Sequence, residues 1–197
     1  MPRIRICGGQ WRSRLIKVAD VAGLRPTPDR VRETLFNWLG QDLSGMSCLD
    51  LFAGSGVLGF EAASRGARRV TLVEHDAKAF AALCQSAKAL GGSQLEPRRA
   101  DALEFLASVS KAGKAVDRNA VSGQASQARE SLYDLIFLDP PYHQGWLARV
   151  EPYLPALATE QARLYVEAEQ ALQSLGAWHC VRRGKLGQVH YHLLERS

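Results

Sequence analysis

A glycine-rich turn at residues 49–59 constrains the fold more than any other feature of this sequence. The run L-D-L-F-A-G-S-G-V-L-G leads from an apolar stretch into a segment with helical spacing, and Gly54, Gly56 and Gly59 satisfy the pattern G-x-G-x-x-G. Glycine has no Cβ, so backbone and ligand can approach each other closely at such a turn. The sequence therefore predicts a strand, a tight turn and a helix whose amino terminus faces a ligand.

Apolar strands alternate with helical segments on both sides of this turn. Such alternation predicts right-handed βαβ units and a mixed, mostly parallel sheet of the Rossmann-like α/β class. Two further segments flank a tight connection near the end of the chain and predict a C-terminal antiparallel hairpin. The predicted strands are 47–52, 69–74, 94–98, 132–138, 161–168, 177–184 and 187–194, and the predicted helices are 57–65, 76–90 and 102–109.

The chain divides into a small N-terminal extension, residues 1–40, and a main domain, residues 41–197. In the extension, two short strands flank Gly8-Gly9, and a helix follows Pro28 with Thr27 as its predicted N-cap. Within the main domain, residues 108–131 lose all periodicity and are rich in Ser, Ala, Gln, Gly and Lys. We predict a flexible surface excursion there.

The positive charge of the protein is concentrated in the extension. The whole chain carries a net charge of +5, with 25 basic and 20 acidic residues, whereas residues 1–32 alone carry eight basic and two acidic residues. Arg3, Arg5, Arg12 and Arg14 alternate with other residues, as along an extended ribbon that presents cations to a polyanion. The alternative is a solvated face of a small hairpin.

Acidic residues follow the predicted strands around the glycine turn. Glu74 lies 20 residues after Gly54, where a carboxylate can accept two hydrogen bonds from a ribose diol. Asp50 precedes the turn, and Asp101 follows the next strand, where it could accept from an adenine amino group. These acids suit the sulfonium and ammonium groups of S-adenosylmethionine better than the pyrophosphate of a nicotinamide dinucleotide, but the glycine pattern alone leaves both cofactors open.

The tetrapeptide Asp139-Pro140-Pro141-Tyr142 follows the apolar run at 135–138 directly. In an open α/β sheet this position is the carboxyl end of a strand, beside the crevice where ligands bind. Two prolines remove backbone donors and leave carbonyl acceptors, Asp139 adds a further acceptor, and Tyr142 adds an aromatic face. The group favours a planar ring with an amino donor, such as the exocyclic amine of a nucleobase; the alternative is a rigid turn.

Motifs over nearly the whole chain resemble the bacterial 16S rRNA (guanine(966)-N2)-methyltransferases. The DPPY tetrapeptide fits any amino-methyltransferase, and the segment that joins R-P-T to F-N-W-L makes the match specific. The matching runs are G-Q-W-R at 9–12, R-P-T-x-x-x-x-R-E-x-L-F-N-W-L at 25–39, L-D-L-F-A-G-S-G-x-L-G-x-E-A-x-S-R-G-A at 49–67, V-E-x-D at 73–76 and G-K-x-G-Q-V at 184–189.

The resemblance implies an S-adenosylmethionine-dependent methyltransferase domain, one guanine target in 16S rRNA and no metal. The predicted catalytic residues are Asp139, Pro140 and Tyr142. The predicted cofactor-binding residues are Asp50, Phe52, Ala53, Gly54, Gly56, Glu74, Asp101 and Ala102. The predicted RNA-binding residues are Arg3, Arg5, Trp11, Arg12, Arg14, Arg25, Thr27 and Arg30, with packing of the small extension as the alternative role for Trp11.

Three other functions compete with this interpretation. A DNA or RNA adenine-N6 methyltransferase would share the DPPY motif, but a DNA-acting enzyme needs a sequence-reading domain for which 197 residues leave little room. A nicotinamide-dependent oxidoreductase gives the DPPY motif no role, and an RNA chaperone leaves the glycine turn unexplained.

The remaining sequence features predict where and in what state the protein acts. No apolar stretch is long enough to span a membrane, and the N-terminus lacks the apolar core of a signal peptide. Four cysteines without a C-x-x-C pair predict reduced thiols. We expect a cytoplasmic monomer that acts on 16S rRNA within a 30S subunit or an assembly intermediate.

Overall fold

A single eight-stranded sheet organises the protein, which we describe from a computed structural model. The model describes residues 3–21, 26–117 and 132–196, apart from the side chains of 111–117. The strands lie in the order β5-β4-β3-β6-β7-β10-β9-β8, and the first five run parallel while the last three continue as antiparallel neighbours. The strands are β3 (Ser47–Asp50), β4 (Arg69–Glu74), β5 (Leu95–Arg99), β6 (Tyr133–Leu138), β7 (Ala158–Ala168), β8 (Ser174–Leu175), β9 (Trp178–Leu186) and β10 (Val189–Arg196).

Helices cover both faces of the sheet, so the parallel strands are buried on both sides and form continuous apolar runs. One core cluster joins the sheet to α1, α2 and α3, and a second joins the opposite face to α4, α5 and a 3-10 helix. The helices are α1 (Asp29–Leu39), α2 (Val57–Ser64), α3 (Ala77–Leu90), α4 (Ala102–Asp117), α5 (Trp146–Val150) and the 3-10 helix Glu151–Ala156. No helix among the described residues is both long enough and apolar enough to cross a membrane.

The N-terminal extension packs on the face that carries α2 and α3. Strands β1 (Arg3–Arg5) and β2 (Leu15–Lys17) form an antiparallel hairpin, as predicted. Ile6, Trp11 and Ile16 are buried in the same core cluster as the sheet residues. The extension is therefore held by the core of the main domain.

The structure corrects two predictions. Thr27 does not cap α1, because the helix begins at Asp29 and Pro28 occupies the N-cap position without a side-chain hydrogen bond. Helix α4 continues to Asp117, so residues 108–117 are helical; their alanines and lysines are strong helix formers. The rest of the predicted excursion, 118–131, lies outside the described residues, as does Arg25.

Candidate active site

Four carboxylates meet at the carboxyl ends of neighbouring parallel strands. Asp50, Glu74, Asp139 and Glu167 end or follow β3, β4, β6 and β7. The register aligns Asp50 with Leu72 and with Phe137, and it aligns Phe137 with Tyr165. Because side chains two residues apart share a face, all four acids project from the sheet face that carries α1 to α3.

This edge contains the point where the strand order reverses. From β3 the chain continues outward through β4 and β5, and then returns to place β6 on the other side of β3. In open α/β sheets, ligands bind in the crevice at such a switch point, outside the carboxyl ends of the strands. The fold therefore brings the glycine turn after β3 and the DPPY segment after β6 to the two sides of one crevice.

Two of the acids hold the glycine turn in place. Asp50 Oδ2 accepts a hydrogen bond from the Gly59 N–H at 3.1 Å, and Glu74 Oε2 accepts one from the Gly54 N–H at 2.8 Å. Gly56 has a φ of 78°, and a Cβ there would lie 2.4 Å from the Leu83 side chain. Only glycine meets both conditions without strain, so the turn can present the amino terminus of α2 to a ligand.

The predicted ribose and adenine acceptors are both hydrogen-bonded to backbone. Glu74 Oε1 accepts from the Asp76 N–H at 2.7 Å, and Asp101 Oδ1 accepts from the Leu103 N–H at 2.8 Å at the start of α4. A carboxylate has about four lone-pair sites, so these bonds leave room for a diol and an amino group. Their place in the crevice stays a prediction.

The other predicted cofactor residues form the wall and floor near the turn. The Phe52 ring packs edge-on against Trp146 of α5, with 5.3 Å between the ring centroids. Ala53 is buried, and its N–H donates to the Val73 carbonyl at 2.9 Å. Ala102 is buried at the first position of α4. These residues give an apolar surface beside the acids.

The DPPY segment turns sharply away from the sheet. Asp139 and Tyr142 are partly buried, Pro140 is buried and Pro141 is exposed. His143 has a φ of 61°, a conformation rare for a residue with a side chain; its N–H donates to Glu169, and its Nδ1 lies 3.0 Å from Glu169 Oε2. These contacts fix the position of the segment that follows Asp139 and keep the Tyr142 ring next to the crevice.

Burial governs the electrostatics of the site. It raises the pKa of Asp139 well above its usual value, and the neighbouring Glu167 and Asp50 charges raise it further, while a hydrogen bond from Thr27 lowers it. Burial also raises the pKa of Asp50 to about 7, opposed by the Gly59 hydrogen bond. A cation or N–H donors bound beside these acids would stabilise their charged forms and lower both pKa values.

Sequence patterns did not identify Glu167 or the position of the Thr27 hydroxyl. Glu167 is only 4% exposed and accepts a hydrogen bond from the Tyr165 hydroxyl at 2.8 Å. Thr27 is buried, and its hydroxyl lies beside both the Asp139 and the Glu167 carboxyls, where its single proton can serve one of them at a time; burial raises the pKa of Glu167 as it does that of Asp139, and the threonine partly offsets both shifts. The one available signal was that Glu167 ends a predicted apolar strand, just as Asp139 follows one.

Buried Arg32 fixes Thr27 in this place. Its Nε donates to the Thr27 carbonyl at 3.2 Å and its Nη1 to the Arg5 carbonyl at 3.0 Å, while the guanidinium also pairs with Glu61 and Asp29. Arg32 thus connects the hairpin, the segment before α1 and helix α2. Its charge, which was counted in the positive total of residues 1–32, is buried and structural.

The predicted RNA-binding residues fall into two groups. Arg3, Arg5, Arg12 and Arg30 are exposed. The exposed Arg14 directs its guanidinium to the Leu90 and Ala89 carbonyls at the end of α3. Trp11 is only 6% exposed, and its ring lies against Gly92. These contacts favour the packing alternative for Trp11 and give Arg14 a helix-capping role in addition to any phosphate contact.

The tip of the basic hairpin lies far from the acidic crevice. Trp11 bonds to Ser64 at the end of α2 and Arg14 to Leu90 at the end of α3, whereas both helices begin beside the crevice. Helix α3 has 14 residues and is therefore about 21 Å long. A polyanion that touches both places must run along this face of the protein.

Replacing Asp50 by asparagine is expected to stabilise the protein at pH 8 and to have little effect near pH 4. The folded-state pKa of about 7 lies above the usual 3.8, so the wild-type protein loses stability as the pH rises between these values, and asparagine does not. We expect a melting temperature higher by roughly 3 to 8 °C at pH 8. Calorimetry at several pH values measures the melting temperatures of the wild type and of Asp50→Asn. A difference between them that does not change with pH would contradict the raised pKa of Asp50.

Metal chemistry has no obvious location in the described part of the chain. No group of three or more His, Cys, Asp or Glu side chains there has the arrangement of a metal site. His190 and His192 stack on β10 with their ring centroids 6.5 Å apart, and His192 is committed to backbone: its Nε2 bonds to the Leu172 N–H at 3.0 Å.

Comparison with known proteins identifies the family of the chain. The family described as Conserved hypothetical protein 95 matches residues 4–195. Ribosomal RNA small subunit methyltransferase D of Escherichia coli (strain K12) is 37% identical over 200 residues, covering 99% of this chain and 91% of that protein. These two matches extend over nearly the whole chain.

Two solved structures share the fold. The Escherichia coli protein yhhF superposes with a TM-score of 0.79 and 36% identity, covering 100% of this chain and 99% of its own. An RNA methyltransferase from Salinibacter ruber, in complex with S-adenosyl-L-homocysteine, superposes with a TM-score of 0.59 over 87% of this chain and 94% of its own; at 18% identity it shows the fold alone. The fold is the Rossmann-like methyltransferase fold, and the chain belongs to the ribosomal RNA small subunit methyltransferase D family.

Proposed function

We propose that this protein transfers a methyl group from S-adenosylmethionine to the exocyclic N2 amine of one guanine in 16S rRNA. Membership of the family makes it a ribosomal RNA methyltransferase that uses S-adenosylmethionine; the proposal adds the atom, the RNA and its state of assembly. The observation that carries it is the buried acceptor group of Asp139 and the Pro140 carbonyl at the strand-order reversal, beside the Tyr142 ring.

The residues of the crevice suit such a cofactor. Glu74 and Asp101 lie on the β4 and β5 side, where they would hold the ribose and the adenine, and Phe52 and Ala53 add apolar surface at the glycine turn, which Glu74 contacts through the Gly54 N–H. Asp50 precedes the turn with a pKa of about 7, so a cationic ligand nearby would favour its charged form. When bound, S-adenosylmethionine supplies an electrophilic methyl group on a cationic sulfur.

The DPPY segment prepares the acceptor amine. The lone pair of the guanine amine is delocalised into the ring, so the nitrogen is a weak nucleophile. Hydrogen bonds from its two N–H groups to the Asp139 carboxylate and the Pro140 carbonyl favour a pyramidal nitrogen whose lone pair points at the methyl group. The Tyr142 ring stacks on the base, which must leave its helix to reach the crevice.

The transfer then balances without any further reactant. The nitrogen forms a bond to the methyl carbon as the carbon–sulfur bond breaks, and the electron pair of that bond stays on sulfur. The amine loses one proton, which passes to Asp139 or to water. The raised pKa of Asp139 makes its carboxylate a competent acceptor.

The proposal is tested by methylation of 16S rRNA from a strain that lacks the gene. Purified protein, tritiated S-adenosylmethionine and either free 16S rRNA or 30S particles are combined, and the RNA is digested to nucleosides. We expect label in N2-methylguanosine from one position, with more transfer to particles than to free RNA. Label in N6-methyladenosine would show that the protein is an adenine methyltransferase instead.

Removing the basic ribbon is expected to weaken RNA binding without affecting the cofactor. In the variant with alanine at 3, 5, 12 and 14, the slope of log K against log salt concentration should flatten by roughly three units if all four arginines touch phosphate. Affinity for S-adenosylmethionine should stay within a few-fold, because the hairpin tip lies at the far end of α3. Binding to 30S particles at several salt concentrations measures the slope; an unchanged slope would identify the ribbon as a solvated face.

A further inference from the structure

We propose that Glu167 recognises the target base, its carboxylate accepting the guanine N1–H beside the N2 amine that Asp139 holds. This inference rests on the proposed guanine-N2 activity. Glu167 belongs to no recognised motif, and its assignment comes from its position in the sheet and its hydrogen bonds.

Glu167 and Asp139 are neighbours across two parallel strands. The register pairs Phe137 of β6 with Tyr165 of β7 and Leu138 with Val166. The next residues along the chain are Asp139, directly after β6, and Glu167 on β7, so these two lie side by side. Neighbouring strands are about 4.8 Å apart, and residues at matching positions project from the same face. The two carboxylates therefore point into the same part of the crevice.

The protein holds Glu167 in one place. The Tyr165 hydroxyl donates to Glu167 Oε1 at 2.8 Å, and the buried Thr27 side chain lies beside both Glu167 and Asp139. Within the described ranges, no lysine, arginine or histidine lies within salt-bridge distance of either acid. Burial raises the pKa of both acids, so a ligand that brings N–H donors to both would relieve the cost of charging them.

The Watson–Crick edge of guanine brings such donors. N1–H and the N2 amine lie next to each other on this edge, whereas adenine presents an acceptor at N1. A neighbouring carboxylate pair matches the two guanine donors, whereas adenine offers its N1 lone pair in place of one of them. Burial raises the pKa of the Tyr142 hydroxyl, and the nearby Glu167 and Asp139 charges raise it further, so its ring is within reach of the same base.

The cationic cofactor is the other candidate partner for Glu167. The order of the strands argues against a contact between the two. Glu74 and Asp101 are on the β4 and β5 side of the switch point, and β6 separates them from β7. A nucleoside held by those two acids directs the reactive methyl group toward Asp139. Glu167 lies on β7, the next strand outward from β6, and therefore faces the methyl acceptor.

The test changes N1 of the target base from a hydrogen-bond donor to an acceptor, and it changes the side chain at position 167 from an acceptor to a donor. In 30S particles reconstituted with 2-aminopurine at the target position, the base keeps its N2 amine but its N1 becomes an acceptor. The wild-type protein should prefer guanine by roughly 100-fold or more in methyl transfer. In Glu167→Gln the side-chain amide can donate to that N1, so the preference should fall about tenfold or further.

The matched control is Glu160→Gln, which makes the same change at an exposed position at the other end of β7 and should keep the wild-type preference. Tyr165→Phe removes only the hydroxyl that holds Glu167 and should relax the preference in the same direction. Melting temperature and S-adenosylmethionine affinity verify that each variant is folded.

The outcomes separate this inference from the proposed function. A wild-type protein that does not methylate guanine overturns the proposed function. A wild-type protein that does so, with a preference unchanged in Glu167→Gln and in Tyr165→Phe, overturns the role of Glu167 alone. A tenfold loss of cofactor affinity in Glu167→Gln with an unchanged preference would place this residue in the cofactor pocket and also overturn it.

Discussion

Replacing Asp139 by alanine is expected to reduce methyl transfer by at least about 100- to 1000-fold while cofactor affinity changes only a few-fold. The carboxylate lies on the β6 side of the crevice, next to Glu167 and away from Glu74, so it should contact the acceptor amine and not the nucleoside of the cofactor. Single-turnover methyl transfer to 30S particles measures the first quantity, and calorimetry with S-adenosylmethionine measures the second.

Two comparisons make this prediction specific. Asp139→Asn keeps one acceptor oxygen and the volume of the side chain, so it should retain more activity than alanine. At the neighbouring aromatic position, Tyr142→Phe should be mild and Tyr142→Ala severe, because stacking needs the ring and not the hydroxyl. If Asp139→Ala lost cofactor binding as severely as turnover, the carboxylate would belong to the cofactor pocket.

The sequence predicted the sheet well because local patterns determine buried parallel strands. The strand predicted at 69–74 matches β4 residue for residue, and those at 94–98 and 132–138 match within one residue at either end. The helix predicted at 76–90 matches α3 within one residue, because Asp76 is its N-cap and its side chain accepts from the Lys78 and Ala79 N–H groups. In these segments propensity, apolar pattern and capping all agree.

Prediction was poorest where tertiary contacts override local preference. Thr27 resembles an N-cap, but its side chain is buried beside Asp139 and Glu167, which are more than 100 residues away in the chain. Helix α5 and the 3-10 helix after it are short, with proline at 152 and 155, and produce no clear period. The sequence left packing open for Trp11 and did not reveal that Arg14 contacts the end of α3.

In the candidate site, too, local motifs were predictable from the sequence and tertiary contacts were not. Residues within compact motifs, namely the glycine turn and the DPPY segment, were identified because each motif has a physical reason for its spacing. Glu167 has no such motif, since its importance arises only when β7 pairs with β6 in a particular register. Arg32 was counted only in the charge total of residues 1–32, because charge patterning does not reveal that a side chain is fully buried against Glu61.

A buried ion cluster connects the extension to the catalytic edge. Glu61 of α2 pairs with Arg32 and Arg65, and its Oε1 also accepts from the Cys7 N–H at 2.6 Å. Side chains of all three charged residues are essentially inaccessible to solvent. Because Arg32 in turn holds the Thr27 carbonyl, the cluster positions the threonine that lies beside Asp139 and Glu167.

Replacing Glu61 by alanine is therefore expected to be the most destabilising single change, at about 3 to 5 kcal/mol, because two guanidinium groups stay buried without their anion. For a chain of this size that corresponds to a fall in melting temperature of roughly 10 °C or more. Asp29→Ala is the matched control: it removes a carboxylate from the same Arg32, but the Asp29 side chain is 64% exposed, so the loss should be at most about 1 kcal/mol. Thermal denaturation of both variants measures the difference. Equal losses of stability from the two substitutions would show that the buried cluster contributes no more than a surface pair. They would also contradict the role of Arg32 in fixing the position of Thr27.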